Sequence, residues 1–257
     1  MKVVLLAGGF GSRISEESVH KPKPMIEIGD MPMLWHIMKN YSAYGFNEFI
    51  ICAGYKQHVI KEWFADYFLH TSDVTFDFTD GNRMIVHNKH TESWKVTIVD
   101  TGLNTQTGGR VKRIREYVGN ETFMLTYGDG VGDINIRELL SFHRAHGKAA
   151  TISMYNFAQY KGVLEVGKDN MINAFREKSN VDGNLINIGY MVFESRVFDF
   201  LDDDNASLEK DALARLADAH QLVGRLHSGF WQCVDTLREK QMLEQLWASG
   251  RAPWVIW

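Results

Sequence analysis

A glycine-rich stretch near the amino terminus contains the residue types that suit phosphate chemistry. The apolar run from Val3 to Ala7 ends in Gly8-Gly9-Phe10-Gly11, a pattern typical of a buried strand followed by a tight loop. Glycine lets backbone N–H groups approach an anion closely, and a row of such groups forms an anion-binding concavity. Arg13 adds a fork of donors that suits phosphate oxygens, and Lys23 adds a compact positive charge. These residues indicate a loop that binds a nucleoside triphosphate.

Spacing excludes two better-known phosphate-binding patterns. Walker A requires G-x-x-x-x-G-K-[ST], which this sequence lacks, and the dinucleotide fingerprint requires a third glycine where Ile14 stands. The pattern here is G-G-x-G-x-R, followed about nine residues later by Lys23-Pro24. A strand-to-helix turn with ordinary surface cations is the alternative interpretation. The combination of the glycines with Arg13 and Lys23 favours a phosphate site over that alternative.

Two aspartates are candidates for holding a metal ion. Asp129 lies between Gly128 and Gly130, just after a predicted strand, and Asp235 precedes a predicted helix. Taken alone, each has a simpler interpretation, because Asp-Gly pairs are common in turns and aspartate is a favoured N-cap. Chemistry at a phosphate depends on positioning and charge neutralisation, and Mg²⁺ supplies both when one or two carboxylates and the phosphates bind it.

The glycine-rich stretch and the lysine-proline pair resemble the signature of the sugar-1-phosphate nucleotidyltransferases. The motifs are Leu6-Ala7-Gly8-Gly9-Phe10-Gly11-Ser12-Arg13 and Lys21-Pro22-Lys23-Pro24. Within that family the sequence is most similar to the glucose-1-phosphate cytidylyltransferases, in the stretches Leu34-Trp35-His36-Ile37-Met38, Gly54-Tyr55-Lys56, Thr107-Gly108-Gly109-Arg110, Tyr127-Gly128-Asp129-Gly130, Phe230-Trp231-Gln232 and Asp235-Thr236-Leu237-Arg238. The resemblance is strong up to about Lys148, weakens between Tyr155 and Leu226, and then returns.

The resemblance implies a role for each matching residue. Arg13 and Lys23 are expected to be catalytic, because they would neutralise the triphosphate and the charge that develops at the α-phosphorus. Asp129 and Asp235 are expected to hold Mg²⁺. The residues expected to bind the nucleotide are Ala7, Gly8, Gly9, Gly11, Ser12, Arg13, Lys23, Gly54, Tyr55, Gly109, Arg110 and Gly128. Those expected to bind the acceptor are Glu177, Lys178, Asn187 and Gly189, with Lys178 at its phosphate and Glu177 at a sugar hydroxyl.

The acceptor side departs from the family pattern in three places. The family commonly has Glu-Lys-Pro where this sequence has Glu177-Lys178-Ser179. The cytidylyltransferases have Asn-Gly-Gly where it has Asn187-Ile188-Gly189, and an Arg-Phe-Gly-like stretch where it has Gln159-Tyr160-Lys161-Gly162. The nucleotide half therefore fits the cytidylyltransferase pattern better than the acceptor half does.

The elements that position these residues alternate between strand and helix. This alternation predicts an α/β fold, with a mostly parallel Rossmann-like sheet flanked by helices and a smaller acceptor-side β region. Ligands of such sheets bind beyond the carboxyl ends of the strands, so the loops at Gly8 and Asp129 should meet at one edge. Predicted strands are 3–7, 49–52, 96–99, 123–126, 149–155, 162–166 and 188–193, and predicted helices are 33–44, 59–68, 111–117, 134–146, 208–216 and 236–248. The polar stretch 73–94 is interpreted as an extended loop or hairpin, and His36 as a helix-packing residue.

Length and composition narrow the class of protein. The 257 residues are expected to form one nucleotidyltransferase domain, with a nucleotide-binding part at about 1–148 and an acceptor-binding part at about 149–257. A net charge of −4 gives no basic footprint for nucleic acid. The two cysteines, Cys52 and Cys233, fit neither a disulfide framework nor a zinc site, which favours a reduced, cytoplasmic protein. No apolar run approaches the length of a membrane helix.

These inferences together predict a Mg²⁺-dependent cytidylyltransferase. It would transfer CMP from CTP to a sugar 1-phosphate, with glucose 1-phosphate as the leading acceptor, giving CDP-glucose and pyrophosphate. We expect a homo-oligomer with no nucleic-acid or membrane partner. One alternative is a CTP-dependent enzyme with a different phosphorylated acceptor, and another is a non-catalytic nucleotide-binding regulatory subunit. The presence of Arg13, Lys23, Asp129 and Asp235 argues against the second, since a non-catalytic copy has no physical need for a carboxylate pair.

Overall fold

A seven-stranded sheet lies at the centre of the protein. The computed structural model describes residues 1–11, 14, 17, 20–79, 81–88, 91–156, 163–166, 172–176 and 185–257. In chain order the elements are β1 (Val3–Ala7), a 3₁₀ turn (Lys23–Met25), β2 (Glu27–Ile28), β3 (Met31–Pro32), α1 (Met33–Ala43), β4 (Glu48–Ala53), α2 (Gln57–His70), β5 (Asp73–Asp77), β6 (Arg83–His87), β7 (Lys95–Asp100), α3 (Thr107–Arg113), α4 (Arg115–Val118), β8 (Phe123–Tyr127), β9 (Gly130–Gly132), α5 (Ile136–His146), β10 (Ala150–Asn156), β11 (Val163–Val166), β12 (Ile172–Arg176), β13 (Leu185–Phe193), a 3₁₀ segment (Ser195–Phe200), a π-helical turn (Leu208–Ala212), α6 (Leu213–Asp218), β14 (Leu222–His227), β15 (Trp231–Cys233) and α7 (Leu237–Ala248).

The central sheet is mostly parallel, so the predicted α/β fold is confirmed. Its strand order is β14-β10-β13-β8-β1-β4-β7. Strands β8, β1, β4 and β7 pair in parallel, and β10 pairs in parallel with β14. Strand β13 lies antiparallel between β8 and β10, so within this sheet it alone runs in the opposite direction. Strands β10 and β13, predicted for the acceptor-side β region, therefore belong to the same sheet as the nucleotide-side strands, whereas β11 and β12 form a separate antiparallel pair.

Alternation of apolar residues along the central strands builds a core on each face of the sheet. In β1, Val3 and Leu5 pack with α1, α5 and α7, while Val4 and Leu6 pack with α3, α4 and α6. Every residue of β1 is buried, as expected for a central parallel strand that is covered on both faces. His36 is fully buried in α1 with its Nε2 atom 2.8 Å from the Ile28 carbonyl oxygen, which confirms its predicted packing role.

Two helices differ from their prediction by more than a shift of one or two residues at an end. The helix predicted at 111–117 is two short helices, α3 and α4, and α3 already begins at Thr107. The segment around Asp204 lies against its two glycines and leaves no room for side chains: a Cβ atom on Gly109 would be 2.6 Å from the Asp204 Cα atom. The helix predicted at 208–216 begins as a π-helical turn before α6 continues it.

Smaller antiparallel pairs surround the central sheet. Strands β5 and β6 form a hairpin within the polar stretch 73–94, which confirms the hairpin interpretation. Strand β15 pairs with β9, and this pairing brings the carboxyl-terminal part of the chain beside the loop that follows β8. Among the described residues, no helix combines the length and the apolar character that crossing a membrane requires.

Candidate active site

The loops that follow β1 and β8 lie side by side at the carboxyl edge of the sheet. The two strands are parallel neighbours, with Leu6 opposite Tyr127. The backbone N–H of Gly128 donates to the Leu6 carbonyl oxygen over 3.0 Å, which continues the ladder past the end of β8. A Cβ atom on Gly128 would be 2.8 Å from the Pro24 ring, so glycine is needed there. The predicted meeting of the two loops is therefore confirmed.

A pocket of about 430 Å³ opens at this edge. Its walls are the loop after β1, the turn that carries Lys23, the loop between β7 and α3, and the end of β8. The lining residues are Leu6, Ala7, Gly8, Gly9, Phe10, Gly11, Lys23, Pro24, Leu103, Asn104, Thr105, Gln106, Thr107, Arg110, Tyr127, Gly128 and Asp129. Eight of the residues predicted from sequence to bind the nucleotide or metal therefore line this one cavity.

Lys23 forms ion pairs with both of the predicted metal ligands. Its Nζ atom is 2.6 Å from the Asp129 Oδ2 atom and 2.5 Å from the Asp235 Oδ1 atom. The prolines on either side of Lys23 preset a short 3₁₀ turn, in which the Met25 N–H donates to the Pro22 carbonyl oxygen over 2.8 Å. This turn directs the lysine side chain, which is 8% exposed, into the pocket rather than into solvent.

The pairing of β9 with β15 explains why Asp129 and Asp235 converge. Cys233 lies opposite Gly130, and the Val234 N–H donates to the Asp129 carbonyl oxygen over 2.9 Å. Asp235 is not the N-cap of α7, which was the alternative interpretation of this residue. Thr236 caps that helix by accepting from the Glu239 N–H, and the carboxylate of Asp235 instead contacts Lys23.

The charges in this cluster do not cancel. Burial by itself would lower the pKa of the Lys23 ammonium, but the carboxylates of Asp129 and Asp235 outweigh it, and the pKa is raised above its usual value. Lys23 therefore stays protonated at neutral pH, and two carboxylates surround one ammonium with a net charge of about −1.

The carboxylate pair fits a hard divalent cation. Mg²⁺ prefers oxygen ligands, keeps several waters, and is often bound by one or two carboxylates together with phosphates. The side chains of Asp129 and Asp235 are 30% and 23% exposed, so both carboxylates are partly accessible from solvent. Among the described residues, no group of three or more His, Cys, Asp and Glu side chains could hold a metal, so waters and a substrate would complete the coordination.

Arg110 was predicted to bind the nucleotide, but its guanidinium is directed at the protein backbone. It is 4% exposed and packs beneath the loops that follow β1, β4 and β7. Its five acceptors are the carbonyl oxygens of Gly8 (3.0 Å), Ala53 (3.3 Å), Gly102 (2.7 Å) and Leu103 (3.2 Å) and the Thr101 hydroxyl (2.8 Å). Arg110 thus ties three loops of the pocket together, and a contact with the nucleotide stays a prediction.

The position of Arg110 explains two of the predicted glycines. A Cβ atom on Gly8 would be 2.1 Å from the Arg110 Nη1 atom, and one on Gly54 would be 2.4 Å from it. Neither position can carry a side chain while the guanidinium lies between them. Tyr55 follows Gly54 and donates its backbone N–H to the Gly8 carbonyl oxygen over 3.2 Å, which joins the loop after β4 to the loop after β1.

The acceptor-side residues are only partly described. Asn187 and Gly189 lie on β13, next to the end of β8: the Gly189 N–H donates to the Asn187 Oδ1 atom over 2.9 Å. A Cβ atom on Gly189 would be 2.3 Å from the Tyr127 ring, so the ring occupies the space that a side chain would need. Six other residues or stretches singled out from the sequence lie outside the described residues: Ser12, Arg13, the stretch 159–162, Glu177, Lys178 and Ser179.

Sequence reasoning missed several residues of the pocket. The loop 103–106, between β7 and α3, forms one wall, and Tyr127 forms another. Glu209, far along the chain, accepts hydrogen bonds from both Tyr127 and Thr107. The loop could have been found from its place after a predicted parallel strand, and Tyr127 from its place two residues before Asp129. Nothing in the local sequence marks Glu209.

Comparisons with known proteins agree with this geometry. The family model described as nucleotidyl transferase matches residues 2–239. Glucose-1-phosphate cytidylyltransferase of Salmonella typhimurium is 51% identical over 258 aligned positions, which cover 100% of both chains. The catalytic subunit beta of mannose-1-phosphate guanylyltransferase from Dictyostelium discoideum is 25% identical, covering 91% of this chain and 61% of its own.

Solved structures show the same fold at low identity. The structure of a UDP-glucose pyrophosphorylase complexed with UDP-glucose superposes with a TM-score of 0.69 at 15% identity, and the alignment covers 97% of this chain and 99% of that one. HddC from Yersinia pseudotuberculosis, complexed with GMP-PN, gives a TM-score of 0.67 at 20% identity, covering 96% and 99% of the two chains. The family match agrees with the glycine-rich loop after β1 and with the lysine that lies between two carboxylates. The chain therefore belongs to the nucleotidyl transferase family, and it is an enzyme of that class.

Proposed function

We propose that this enzyme transfers CMP from CTP to glucose 1-phosphate, releasing pyrophosphate and forming CDP-glucose. The observation that carries the proposal is the 51% identity, over the full length of both chains, with the glucose-1-phosphate cytidylyltransferase of Salmonella typhimurium. Membership of the family implies that the substrates are a nucleoside triphosphate and a sugar phosphate. We propose that these two substrates are CTP and glucose 1-phosphate.

The reaction is an in-line displacement at phosphorus. An oxygen of the acceptor phosphate forms a bond to the α-phosphorus of CTP, while the bond from that phosphorus to the β-bridging oxygen breaks and pyrophosphate leaves. The protein contributes positioning and charge, because little covalent chemistry is required of it. Lys23 is buried, protonated and at the pocket wall, so we propose that it stabilises the negative charge that develops at the α-phosphorus, together with Arg13.

We propose that Asp129 and Asp235 hold Mg²⁺. When bound, the ion would neutralise phosphate charge and help to orient the triphosphate. The protein's own contribution is to bring the two carboxylates together through the pairing of β9 with β15 and to place them beside Lys23. Because Lys23 contacts both carboxylates, its ammonium and the metal would share the same two anions.

The nucleotide would bind in the pocket after β1. We propose that the backbone of Gly8, Gly9 and Gly11 contacts its phosphates, with Ser12 and Arg13. Further residues proposed to bind the nucleotide are Ala7, Gly54, Tyr55, Gly109, Arg110 and Gly128, of which Gly54, Gly109 and Arg110 also have the packing roles described above. The nucleotide would thus occupy the part of the domain at about 1–148.

One altered acceptor motif is compatible with a hexose. Ile188 stands where the cytidylyltransferases have glycine, and its side chain would fill part of the pocket if it faced the acceptor. It is 2% exposed and packs in the core cluster that contains Tyr190 and Val192, so it leaves the pocket unchanged. We therefore keep glucose 1-phosphate as the acceptor, bound by Asn187 and Gly189 with Glu177 and Lys178. A reduced, cytoplasmic setting and a homo-oligomer remain part of the proposal.

The test is a substrate panel scored by pyrophosphate release. CTP is mixed with Mg²⁺ and with glucose 1-phosphate, other hexose 1-phosphates and smaller phosphorylated acceptors, and UTP, dTTP and GTP replace CTP in parallel. We expect CTP and glucose 1-phosphate to give a kcat/KM above about 10⁴ M⁻¹s⁻¹. Failure of every hexose phosphate, alongside tight CTP binding, would favour the alternative acceptor. Binding of CTP with no pyrophosphate from any acceptor would instead identify a regulatory subunit.

A further inference from the structure

Glu209 accepts three hydroxyl hydrogen bonds at the rim of the pocket. Its Oε1 atom accepts from the Tyr127 hydroxyl over 2.6 Å. Its Oε2 atom accepts from the Thr107 hydroxyl over 2.7 Å and from the Ser207 hydroxyl over 2.9 Å. The residue is exposed to solvent on its other side. A carboxylate can accept about four hydrogen bonds, so these three use most of its capacity.

Two of these donors belong to different parts of the pocket. Thr107 is the first residue of α3 and ends the loop that forms the nucleotide-side wall. Its hydroxyl also accepts from the Leu208 N–H over 2.9 Å, so its orientation is set from both sides. Tyr127 is the last residue of β8, two positions before Asp129, and its ring packs against Gly189 on the acceptor-side strand. Glu209 therefore connects the nucleotide-side loop to the acceptor-side strand.

The hydroxyl of Tyr127 transmits this connection to Asn187. A tyrosine hydroxyl has a single proton, and here that proton is donated to Glu209. The Tyr127 oxygen can then act only as an acceptor, and the Asn187 Nδ2 atom donates to it over 3.4 Å. That leaves the Asn187 Oδ1 atom to accept from the Gly189 N–H, as observed. The orientation of the Asn187 amide thus follows from the orientation of the Tyr127 hydroxyl.

The charge state of the two groups is consistent with this direction of donation. Partial burial would raise the pKa of Glu209, but the hydrogen bonds from Tyr127, Thr107 and Ser207 outweigh it and hold that pKa below its usual value. At neutral pH the Glu209 carboxylate is therefore ionised and can only accept, so the Tyr127 hydroxyl donates the proton that the two groups share.

We propose that Glu209 is a positioning residue that aligns the nucleotide-side loop with the acceptor-side strand, through Thr107 on one side and Tyr127 and Asn187 on the other. Glu209 does not itself touch the reacting atoms in this role. This inference rests on the proposed function for its acceptor arm, because Asn187 is an acceptor residue only if a sugar phosphate binds there. The nucleotide arm, through Thr107, is independent of the identity of the acceptor.

The first test is Glu209→Ala, with kinetics and binding measured separately. We expect kcat/KM for glucose 1-phosphate to fall by about 10–100-fold, since small displacements of positioning groups have effects of that size. The dissociation constant for CTP, measured by calorimetry with Mg²⁺, should rise by only about fivefold, equivalent to one neutral hydrogen bond. Asp218→Asn removes one exposed carboxylate on α6 and is the matched control. It should leave both quantities within about twofold of the parent.

A double-mutant cycle separates positioning from a merely structural role. Tyr127→Phe removes the hydroxyl that Glu209 orients, so the combined variant should be no worse than the worse single variant within about twofold. Glu209→Gln preserves the side-chain volume but offers a single carbonyl acceptor, which can serve either Tyr127 or the Thr107 and Ser207 hydroxyls. We expect Glu209→Gln to restore part of the lost turnover or part of the lost CTP affinity, but not both. The same variant provides the test if Glu209→Ala does not fold.

Each outcome of these measurements either supports or overturns the positioning role of Glu209. Additive effects of Glu209→Ala and Tyr127→Phe, or a Glu209→Gln variant with parental kinetics and CTP affinity, would overturn the proposal. If the parent enzyme makes no product from CTP and glucose 1-phosphate, the proposed function fails, and a second cycle decides the fate of Glu209. That cycle combines Glu209→Ala with Thr107→Val and measures affinity for the nucleoside triphosphate that binds most tightly. A non-additive result supports the positioning role, and an additive one refutes it.

Discussion

Replacing Arg110 by methionine tests whether this buried guanidinium holds the pocket together in the absence of any ligand. Methionine keeps most of the apolar stem and removes all five hydrogen bonds of the guanidinium. Not every acceptor is then left without a partner. The Ala53 carbonyl oxygen keeps the N–H and hydroxyl of Thr101, and the Gly8 carbonyl oxygen keeps the N–H of Tyr55. Among the described residues, the carbonyl oxygens of Gly102 and Leu103 lose the donors that the guanidinium provided.

The expected cost follows from these two carbonyl groups. Hydrogen bonds from a charged donor contribute about 1.5–3 kcal/mol each, so the loss of two unshared bonds is worth about 3–6 kcal/mol. Part of that is recovered, because the guanidinium no longer has to be buried away from water and because Leu103 lies at the surface where water can reach its carbonyl. We therefore expect the free energy of unfolding to fall by about 2–4 kcal/mol in the ligand-free protein.

Urea unfolding, followed by tryptophan fluorescence and by far-ultraviolet circular dichroism, measures this quantity. Arg113→Met is the matched control: Arg113 lies on the same helix, but its ion pair with Asp204 is exposed, and such pairs are worth about 0.2–1 kcal/mol. Arg110→Lys keeps the charge without the fork of donors and should fall between the parent and the methionine variant. A ligand-free stability change below about 0.5 kcal/mol in Arg110→Met, together with lost CTP affinity, would refute the reasoning, since it would make Arg110 a ligand-binding residue and not a structural tie.

Three further outcomes are expected. Asp129→Asn should keep the fold and lower kcat by about 10²–10³-fold, as for removal of one electrostatic stabiliser, and a rate within a few-fold of the parent would exclude Asp129 from the site. Lys23→Ala should lower kcat at saturating CTP, whereas a change confined to the apparent CTP affinity would make Lys23 a binding residue only. Burial lowers the pKa of His36 from 6.5 to about 4, so the unfolded chain binds a proton between pH 6.5 and 4 that the folded protein does not. As the pH is lowered from 6.5 to 4, the free energy of unfolding should therefore fall by about 3 kcal/mol because of His36. A His36→Gln variant whose free energy of unfolding depends on pH as that of the parent does would contradict this.

Local pattern and parallel-sheet topology together predicted that the loops after β1 and β8 meet at one edge of the sheet. The apolar run before Gly8 and the one before Gly128 each predict a buried strand, and parallel strands place their carboxyl ends at one edge of the sheet. From that, the meeting of the Gly8 loop with Asp129 follows, whereas the contact of Lys23 with Asp129 was not predicted. The bounds of α1, β4 and β8 were also predicted to within one residue, because α1 has apolar residues at helical spacing, β4 and β8 are short apolar runs, and a glycine follows closely after each.

The remaining features depend on contacts that no short stretch encodes. Arg110 follows two glycines in a motif that suits ligand binding, and only the positions of three strand ends direct its guanidinium to backbone carbonyls. Glu209 meets Tyr127 and Thr107 across 82 and 102 positions of sequence. Asp235 has the residue type and place of an N-cap, yet the capping box falls one residue later, at Thr236, because its position three residues before Glu239 allows the reciprocal bonds.

The contact of Lys23 with both aspartates also fixes when, during synthesis, the site can first exist. Lys23 meets Asp129 after 106 positions of chain and Asp235 after 212. At a translation rate of about 5–20 residues per second, Asp235 is made roughly 5–20 s after Asp129. Throughout that interval the nascent chain already contains β1, β4, β7 and β8, which need only each other to pair, but it lacks β15, which brings the second carboxylate to the first. The paired strands are therefore made early in translation, and the contact of Lys23 with both aspartates arrives late, in the step that pairs β15 with β9.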